Sequence, residues 1–120
     1  MKKILIVDDD QDIVEVTKLL LEIEGYRVLG MHDPNNVIDN VRNYRPELLI
    51  LDVMLGDIDG REICHHLKNS SDTKHIPILM FSAVHDFQSI KDNRCDADDF
   101  ISKPYHVDTM LEKVNRLTTG

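Results

Sequence analysis

The stretch Glu47-Leu48-Leu49-Ile50-Leu51-Asp52-Val53-Met54-Leu55 decides the fold of this chain. Four consecutive apolar residues run directly into Asp52, and Arg45-Pro46 precede them. An unbroken apolar run of this length is typical of a central parallel strand that is covered on both faces. An aspartate at the carboxyl end of such a strand lies at the edge where open α/β sheets place their ligands. A lone aspartate there is more often a helix cap or a loop residue, so the other strands decide its role.

Length and charge restrict the classes of protein that this chain can represent. Its 120 residues are enough for one core, so we predict a single domain over residues 1–120. A net charge of -8 argues against nucleic acid or an anionic membrane as a direct partner, since both attract basic surfaces. No apolar run approaches the ~20 residues of a membrane span. Cys64 and Cys95 lack a metal-binding spacing, which predicts free thiols in a reducing cytoplasm.

The apolar pattern alternates between strands and helices along the whole chain. Strands are expected at residues 4–7, 27–31, 48–52, 76–81 and 100–101. Helices are expected from five sets of spaced apolar residues: Ile13, Val16, Leu20 and Ile23; Val37, Ile38, Val41 and Tyr44; Ile63, Cys64 and Leu67; Phe87 and Ile90, within 86–94; and Val107, Met110, Leu111, Val114 and Leu117. This alternation predicts an α/β fold: a doubly wound, five-stranded parallel sheet in the order 2-1-3-4-5, flavodoxin-like, with helices on both faces.

Capping residues predict where some of these helices begin. Asp12 and Glu15 have the spacing of a capping box at the start of the first helix. Asp33-Pro34 pairs an N-cap with a proline at the first helical position of the second. The composition of residues 56–60 predicts a loop, with Asp59 as the cap of the third helix.

Polar side chains occur where the predicted strands end. They are Asp8, Asp9 and Asp10 after the first strand, Asp52 at the end of the third, Ser82 after the fourth and Lys103 after the fifth. All belong to one edge of the sheet, and strands one and three are neighbours in the expected order. Asp8, Asp9 and Asp52 should therefore share one pocket, whereas Asp10 is better explained as a helix cap than as a ligand.

The chemistry of this set points to phosphoryl transfer. Carboxylates ~4 Å apart repel one another by roughly 1–4 kcal/mol per pair, which recruits a cation. Because the ligands are all oxygen, Mg²⁺ is the expected ion. Lys103 adds a positive charge and Ser82 a hydroxyl donor. The metal ion, the ammonium and the hydroxyl can then bind the three phosphoryl oxygens. Asp52 can then act as the nucleophile and form an aspartyl phosphate.

The chain resembles the receiver domains of two-component response regulators over essentially its whole length. The motifs that carry the resemblance are Ile4-Leu5-Ile6-Val7-Asp8-Asp9-Asp10, Leu51-Asp52-Val53-Met54-Leu55 with Asp59-Gly60, Ser82-Ala83, and Ala97-Asp98-Asp99-Phe100-Ile101-Ser102-Lys103-Pro104. Each motif alone is weak, but their common order and spacing are specific to that family.

The resemblance implies a role for each residue of the site. Asp52 would accept a phosphoryl group from the phosphohistidine of a histidine kinase or a histidine phosphotransfer protein. Asp8, Asp9, Asp52 and the backbone carbonyl of Met54 would hold Mg²⁺, or Mn²⁺ in its place. Lys103 would pair with the phosphate. A protein of this kind catalyses its own phosphorylation and slow dephosphorylation but is not an enzyme toward outside substrates.

The resemblance also implies a switch. Ser82 would move to bind the phosphate and Phe100 would turn inward behind it, which changes the surface of the fourth helix, fifth strand and fifth helix. The resemblance leaves open whether the chain acts on a downstream effector domain or protein. It also leaves open whether the chain forms a homodimer. The Lys103-Pro104 peptide bond is often cis in the family.

Two positions depart from the family pattern. Gly56 stands where the family usually has proline. Asp96 replaces a common glycine, and Asp is among the residues that tolerate a left-handed backbone.

Three other classes of function were compared. A flavin carrier is discarded because three aspartates in the first loop would repel the flavin phosphate. A phosphatase that uses Asp52 would usually carry a second aspartate at the position of Met54. A phosphorylation-independent pseudo-receiver that acts as a protein-interaction module remains the alternative.

Overall fold

The apolar runs of the sequence form the central strands of a parallel sheet. The computed structural model describes residues 1–83 and 95–119. The sheet consists of β1 (Lys3–Val7), β2 (Arg27–Met31), β3 (Leu48–Asp52), β6 (Ile78–Ala83) and β7 (Asp99–Lys103). The strands lie in the order β2-β1-β3-β6-β7, which confirms the predicted 2-1-3-4-5 order. Two short antiparallel strands, β4 (Met54–Leu55) and β5 (Ile58–Asp59), form a hairpin after β3.

Helices cover both faces of the sheet, as predicted. They are α1 (Gln11–Ile23), α2 (Val37–Tyr44), α3 (Gly60–Lys68) and α4 (Val107–Thr118). The helix expected at residues 86–94 lies outside the described residues. Among the helices in the part of the chain that the structure describes, none has the length and apolar character to cross a membrane.

Successive residues of the central strands enter two separate cores. Leu5 and Leu49 pack with the buried residues of α2 and α3, whereas Ile4 and Ile50 pack with those of α1 and α4. Fully burying a side chain of this kind contributes roughly 1.5–3 kcal/mol. β3 is buried along its whole length, because it lies in the centre of the sheet with a helix layer on each side.

Asp10 is the N-cap of α1, which confirms its prediction as a helix cap. Its Oδ1 accepts hydrogen bonds from the N–H groups of Asp12 and Ile13 at 3.0 and 3.4 Å, so the capping box at Asp12 is wrong.

The buried face of α1 differs from the predicted one. Val16 and Ile23 are 53% and 79% exposed. The fully buried side chains of α1 are Val14, Thr17 and Leu21. Because apolar residues also lie between the predicted positions, two helical faces fit the pattern and only contact with the sheet selects one.

The second helix begins later than predicted. Asp33 Oδ1 accepts a hydrogen bond from the Asn35 N–H at 2.9 Å, which closes a turn before the helix. The N-cap of α2 is Asn36, with a left-handed backbone at φ 65°. An N-cap at Asp33 is therefore wrong, because the aspartate side chain is used in a local turn that competes with helix formation.

Three further boundaries were not predicted. β6 extends to Ala83 and β7 to Lys103, because these residues pair with each other beyond the apolar part of each strand. The loop expected at 56–60 contains the strand β5, and its last residue, Gly60, already belongs to α3. Asp59 caps that helix, as predicted, with Oδ1 accepting from the Arg61 N–H at 2.9 Å.

Two backbone features that the resemblance implied are present. The Lys103-Pro104 peptide bond is cis, and Asp96 has a left-handed backbone with φ 59°. Both lie beside β7, so they shape the segments that enter and leave the strand that carries Lys103.

Candidate functional site

Three strands bring charged residues to one edge of the sheet. Asp8 directly follows β1, Asp52 is the last residue of β3, and Lys103 is the last residue of β7. The backbone N–H of Asp8 donates to the Met31 carbonyl at 3.1 Å, which continues the pairing of β1 with β2. Asp8 and Asp52 are 1% and 5% exposed, so both carboxyl groups lie beneath the surface.

Lys103 bridges the two buried carboxylates. Its Nζ lies 2.6 Å from Asp8 Oδ2 and 3.0 Å from Asp52 Oδ2. The Lys103 side chain is 17% exposed, so its charge is only partly screened by water. Lys103 is thus in direct contact with Asp8 and Asp52, and the sequence predicts these three residues at the ends of three different strands.

Asp9 completes an acidic cluster. One carboxylate oxygen from each of Asp8, Asp9 and Asp52 lies within 4.8 Å of the others. Asp9 is exposed, and its Oδ2 accepts a hydrogen bond from the Gly56 N–H at 3.2 Å, at the turn of the β4–β5 hairpin. The hairpin therefore holds the exposed member of the cluster in place.

The cluster has the donor set and the charge that suit a hard divalent cation. Three carboxylates face one ammonium, so the site has a formal charge of -2 when all are ionised. Among the described residues, Asp8 Oδ2 is the buried side-chain oxygen without a well-directed hydrogen bond, although it lies close to the Lys103 ammonium. Oxygen ligands and unfilled acceptor capacity fit Mg²⁺, which binds one or two carboxylates and retains several waters. The residues present therefore fit the ion that the resemblance implies.

The environment of Asp52 changes its acidity. Burial penalises the charged form, and the negative charge of Asp8 adds to this, so the pKa of Asp52 rises from 3.8 to about 7 although Lys103 opposes the shift. Burial lowers the pKa of Lys103, but its contacts with Asp8 and Asp52 together raise that pKa above 10.5. Lys103 thus remains an ammonium, while the metal-free Asp52 titrates near neutral pH.

This raised pKa predicts a pH-dependent effect of Asp52→Asn on stability. The folded chain keeps the Asp52 proton to a higher pH than the unfolded chain, so the folded state loses stability as pH rises from about 4 to about 7. The neutral amide avoids this loss. In EDTA, we expect Asp52→Asn to exceed the wild type in unfolding free energy by roughly 4 kcal/mol at pH 8, and by less than about half of that at pH 5.

Urea unfolding at the two pH values measures this difference. Glu22→Gln, which removes an exposed carboxylate from α1, is the control. It should change the unfolding free energy by the same small amount at both pH values. A stabilisation by Asp52→Asn that does not grow between pH 5 and pH 8 would contradict the prediction.

The remaining predicted residues lie around the cluster. Ser82 is fully buried near the end of β6, and its Oγ donates to the Ala83 carbonyl at 3.0 Å. Phe100 is half-buried in β7 and packs against the core beneath α2 and α3. Met54 follows Asp52 by two residues, and its N–H donates to Asp52 Oδ1 at 3.4 Å. It stays a prediction that Ser82 and Phe100 act in a switch. Metal binding by the Met54 carbonyl also stays a prediction.

Two glycines contact the cluster in ways that sequence reasoning did not anticipate. The Gly56 N–H binds Asp9, which a proline at this position could not do because proline has no N–H. Gly60 lies against the backbone carbonyl of Asp52. The available signal was two glycines in the segment after Asp52, one in the turn of the hairpin and one directly after it, but composition alone predicted only a loop.

Comparisons with known proteins agree with this fold and identify a family. The family model described as "Response regulator receiver domain" matches residues 4–115. The chain is 34% identical to the DNA-binding dual master transcriptional regulator RpaA of Synechocystis sp., over 98% of this chain and 49% of that protein. It is 33% identical to the response regulator MprA of Mycobacterium avium, over 96% of this chain and 50% of that protein.

A solved structure shows the same architecture. The signal receiver domain of a signal transduction histidine kinase from Syntrophus aciditrophicus superposes with a TM-score of 0.91 at 31% identity, covering 100% of this chain and 92% of that one. The chain therefore belongs to the response regulator receiver domain family of two-component systems. It spans about half the length of the curated relatives that it matches.

Proposed function

We propose that this chain is a phosphoacceptor: it takes a phosphoryl group onto Asp52 from a histidine kinase or a histidine phosphotransfer protein. The observation that carries the proposal is the position of Lys103, whose Nζ lies within 3.0 Å of Asp52 and 2.6 Å of Asp8 at an edge that also holds Asp9. A nucleophilic carboxylate, a fixed cation and an oxygen-ligand cluster are the parts that phosphoryl transfer requires.

The transfer follows from the chemistry of Asp52. In its ionised form, a carboxylate oxygen of Asp52 attacks the phosphorus of the donor phosphohistidine. A P–O bond forms while the P–N bond breaks, and the electron pair returns to the imidazole nitrogen, which takes up a proton. Because the pKa of metal-free Asp52 is about 7, groups that favour its charged form also favour the reaction. Lys103 is such a group, and it can also bind a phosphoryl oxygen.

Asp8, Asp9 and Asp52 would hold Mg²⁺, or Mn²⁺, together with the Met54 carbonyl that the resemblance implies. When bound, the ion supplies positive charge for the oxygens of the transferred group. Asp8 provides a buried ligand that Lys103 holds in position, and Asp9 an exposed one that the hairpin holds.

Mg²⁺ should stabilise the folded chain. At an Mg²⁺ concentration of about 100 times its Kd, the unfolding free energy of the wild type should rise by about 2.7 kcal/mol. Asp9→Asn should weaken binding, and a hundredfold higher Kd would leave about 0.4 kcal/mol at the same concentration. Because Asp9 is exposed, this variant leaves the core intact. Urea unfolding with Mg²⁺ and with EDTA measures both values.

Asp57→Asn is the matched control for this experiment. Asp57 lines the same cleft of about 350 Å³ as Asp9, but it does not belong to the acidic cluster. Its substitution should leave the Mg²⁺ effect intact. The assignment of Asp9 as a ligand would be contradicted if the two variants lose the same part of the stabilisation by Mg²⁺. It would also be contradicted if Mg²⁺ does not stabilise the wild type.

Phosphorylation would act by shifting a population of conformations. The new group adds roughly -1.5 to -2 charge and several acceptor oxygens. A state in which the Ser82 hydroxyl leaves the Ala83 carbonyl for the phosphoryl group, with Phe100 turned inward, would gain population if its contacts with the phosphate are better. The surface of β7 and α4 would carry the change to a downstream effector or a second copy of the chain.

The other expected properties belong to the same proposal. The chain modifies only itself and does not turn over outside substrates. Cys64 and Cys95 are buried and are not joined by a disulfide, which supports a place in the reducing cytoplasm.

A small-molecule phosphodonor tests the proposed function. The wild-type chain is incubated with acetyl phosphate and Mg²⁺, and then analysed by intact mass and by peptide mapping. We expect the gain of one phosphoryl group on the peptide that contains Asp52, and none in EDTA. No incorporation with Mg²⁺ would contradict the proposal and favour a protein-interaction module that works without phosphorylation.

A further inference from the structure

Gly60 is the first residue of α3 and lies directly over the end of β3. Its N–H donates to the Val53 carbonyl at 2.7 Å, and the Val53 N–H in turn donates to the Phe81 carbonyl at 2.9 Å. The start of α3 is thereby connected to β6 through the residue that follows Asp52.

Gly60 leaves no room for a side chain. A Cβ at this position would lie 2.0 Å from the carbonyl oxygen of Asp52, 3.1 Å from its carbonyl carbon and 3.3 Å from Val53 Cα. The neighbouring atoms belong to the backbone, so a change of rotamer cannot relieve the contact. Alanine is also the best helix former, whereas glycine destabilises a helix relative to alanine. The requirement for glycine here is therefore steric and local to Asp52.

Both sides of this contact are anchored, so a displacement cannot be confined to the helix. α3 packs into the core through buried residues, which are Ile63, Cys64 and Leu67. Near its other end, Lys68 Nζ lies 2.7 Å from Asp98 Oδ2 and donates to the Ile76 carbonyl at 2.8 Å. Asp52 is the last residue of β3, where the strand leaves the sheet, and its side chain depends on a 3.0 Å contact with Lys103. Movement at the Asp52 carbonyl changes that geometry.

We propose that Gly60 is a positioning residue for Asp52: the absence of a side chain lets α3 approach the end of β3 closely enough to set the place of the phosphoacceptor carboxylate. This inference rests on the proposed function. A misplacement of about 1 Å reduces the rate of a positioned reaction by about a hundredfold.

Gly60→Ala and Gly30→Ala form a matched pair that tests the proposal. A Cβ at Gly30, in the edge strand β2, would lie 2.6 Å from Val14 Cγ1, a side-chain atom of α1 and not an atom of the acidic cluster. Both variants therefore introduce one methyl group into a tight contact. At saturating Mg²⁺ and with the folded fraction verified by circular dichroism, the initial rate of acetyl phosphate incorporation should fall about a hundredfold in Gly60→Ala. In Gly30→Ala it should stay within about twofold of the wild type.

The affinity for Mg²⁺ is the second readout, because loss of stability alone does not change the Kd of the folded fraction. The affinity for Mg²⁺ should weaken by about tenfold or more in Gly60→Ala and stay unchanged in Gly30→Ala. If Gly60→Ala is unfolded in buffer, both variants are compared in an osmolyte that favours the folded chain.

Each outcome decides the proposal. A folded Gly60→Ala chain with the wild-type rate, or with a loss no larger than that of Gly30→Ala, would overturn it. A Gly60→Ala chain that stays unfolded in the osmolyte while Gly30→Ala folds would also overturn it, since the contact would then serve the fold. If the wild type itself incorporates no phosphoryl group, the proposed function fails and the Mg²⁺ affinities alone decide the role of Gly60.

Discussion

Asp52→Asn should abolish phosphoryl incorporation from acetyl phosphate, with a fall of roughly 10³-fold or more in initial rate. The amide is not a useful nucleophile, and the neighbouring carboxylates of Asp8 and Asp9 are expected to act as metal ligands and not as acceptors. The side chains of aspartate and asparagine have nearly the same volume, so the buried position keeps its packing. Lys103 keeps its contact with Asp8. The loss should therefore be chemical and not structural, as intact mass over a time course can show.

A control variant makes this result specific. Asp57→Asn removes an exposed carboxylate from the β4–β5 hairpin and should leave the incorporation rate within about twofold of the wild type. Retained incorporation in Asp52→Asn, with the phosphoryl group mapped to Asp8 or Asp9, would show that the acceptor carboxylate has been wrongly assigned.

The parts of the site that could be predicted from sequence are those that topology alone determines. Asp8, Asp52 and Lys103 each follow an apolar run, and parallel strands end at the same edge of the sheet. That argument needs only the alternation of strands and helices. It predicted the shared edge without any knowledge of side-chain positions.

The details that could not be predicted depend on contacts between segments distant in sequence. The hydrogen bond from the Gly56 N–H to Asp9 exists because the β4–β5 hairpin folds back over the first loop. The contact of Gly60 with the Asp52 carbonyl depends on how closely the start of α3 approaches the end of β3. The buried face of α1 shows the same limit. Two faces of the helix fit the spacing of its apolar residues, and packing against the sheet selected the face that leaves Val16 exposed.

Lys103→Met should reduce the initial rate of phosphoryl incorporation by about 10²–10³-fold at saturating Mg²⁺ and pH 7. Lys103 is the cation that contacts both Asp8 and Asp52, and it is expected to bind a phosphoryl oxygen as charge develops. Its removal also leaves two buried carboxylates without their partner. The metal-free variant should therefore lose about 3–5 kcal/mol of unfolding free energy.

Lys113→Met is the matched control for the loss of an ion pair. Lys113 Nζ lies 2.9 Å from Asp99 Oδ2, a separation similar to that between Lys103 and Asp52, but outside the acidic cluster. Its substitution should lower the rate by less than about twofold. Comparable rates in the two methionine variants would show that Lys103 contributes only an ordinary ion pair.

The pH dependence of the Lys103→Met rate separates two contributions of the ammonium. Lys103 lowers the pKa of metal-free Asp52, so without it that pKa should lie above about 7 and a proton should compete with Mg²⁺ for the acceptor at neutral pH. Raising the pH ionises Asp52 and should restore the part of the rate that was lost to protonation. The part that remains lost at pH 9 measures the direct contact of Lys103 with the phosphoryl group. A rate ratio between wild type and variant that stays constant from pH 6 to pH 9 would show that Lys103 acts through that contact alone.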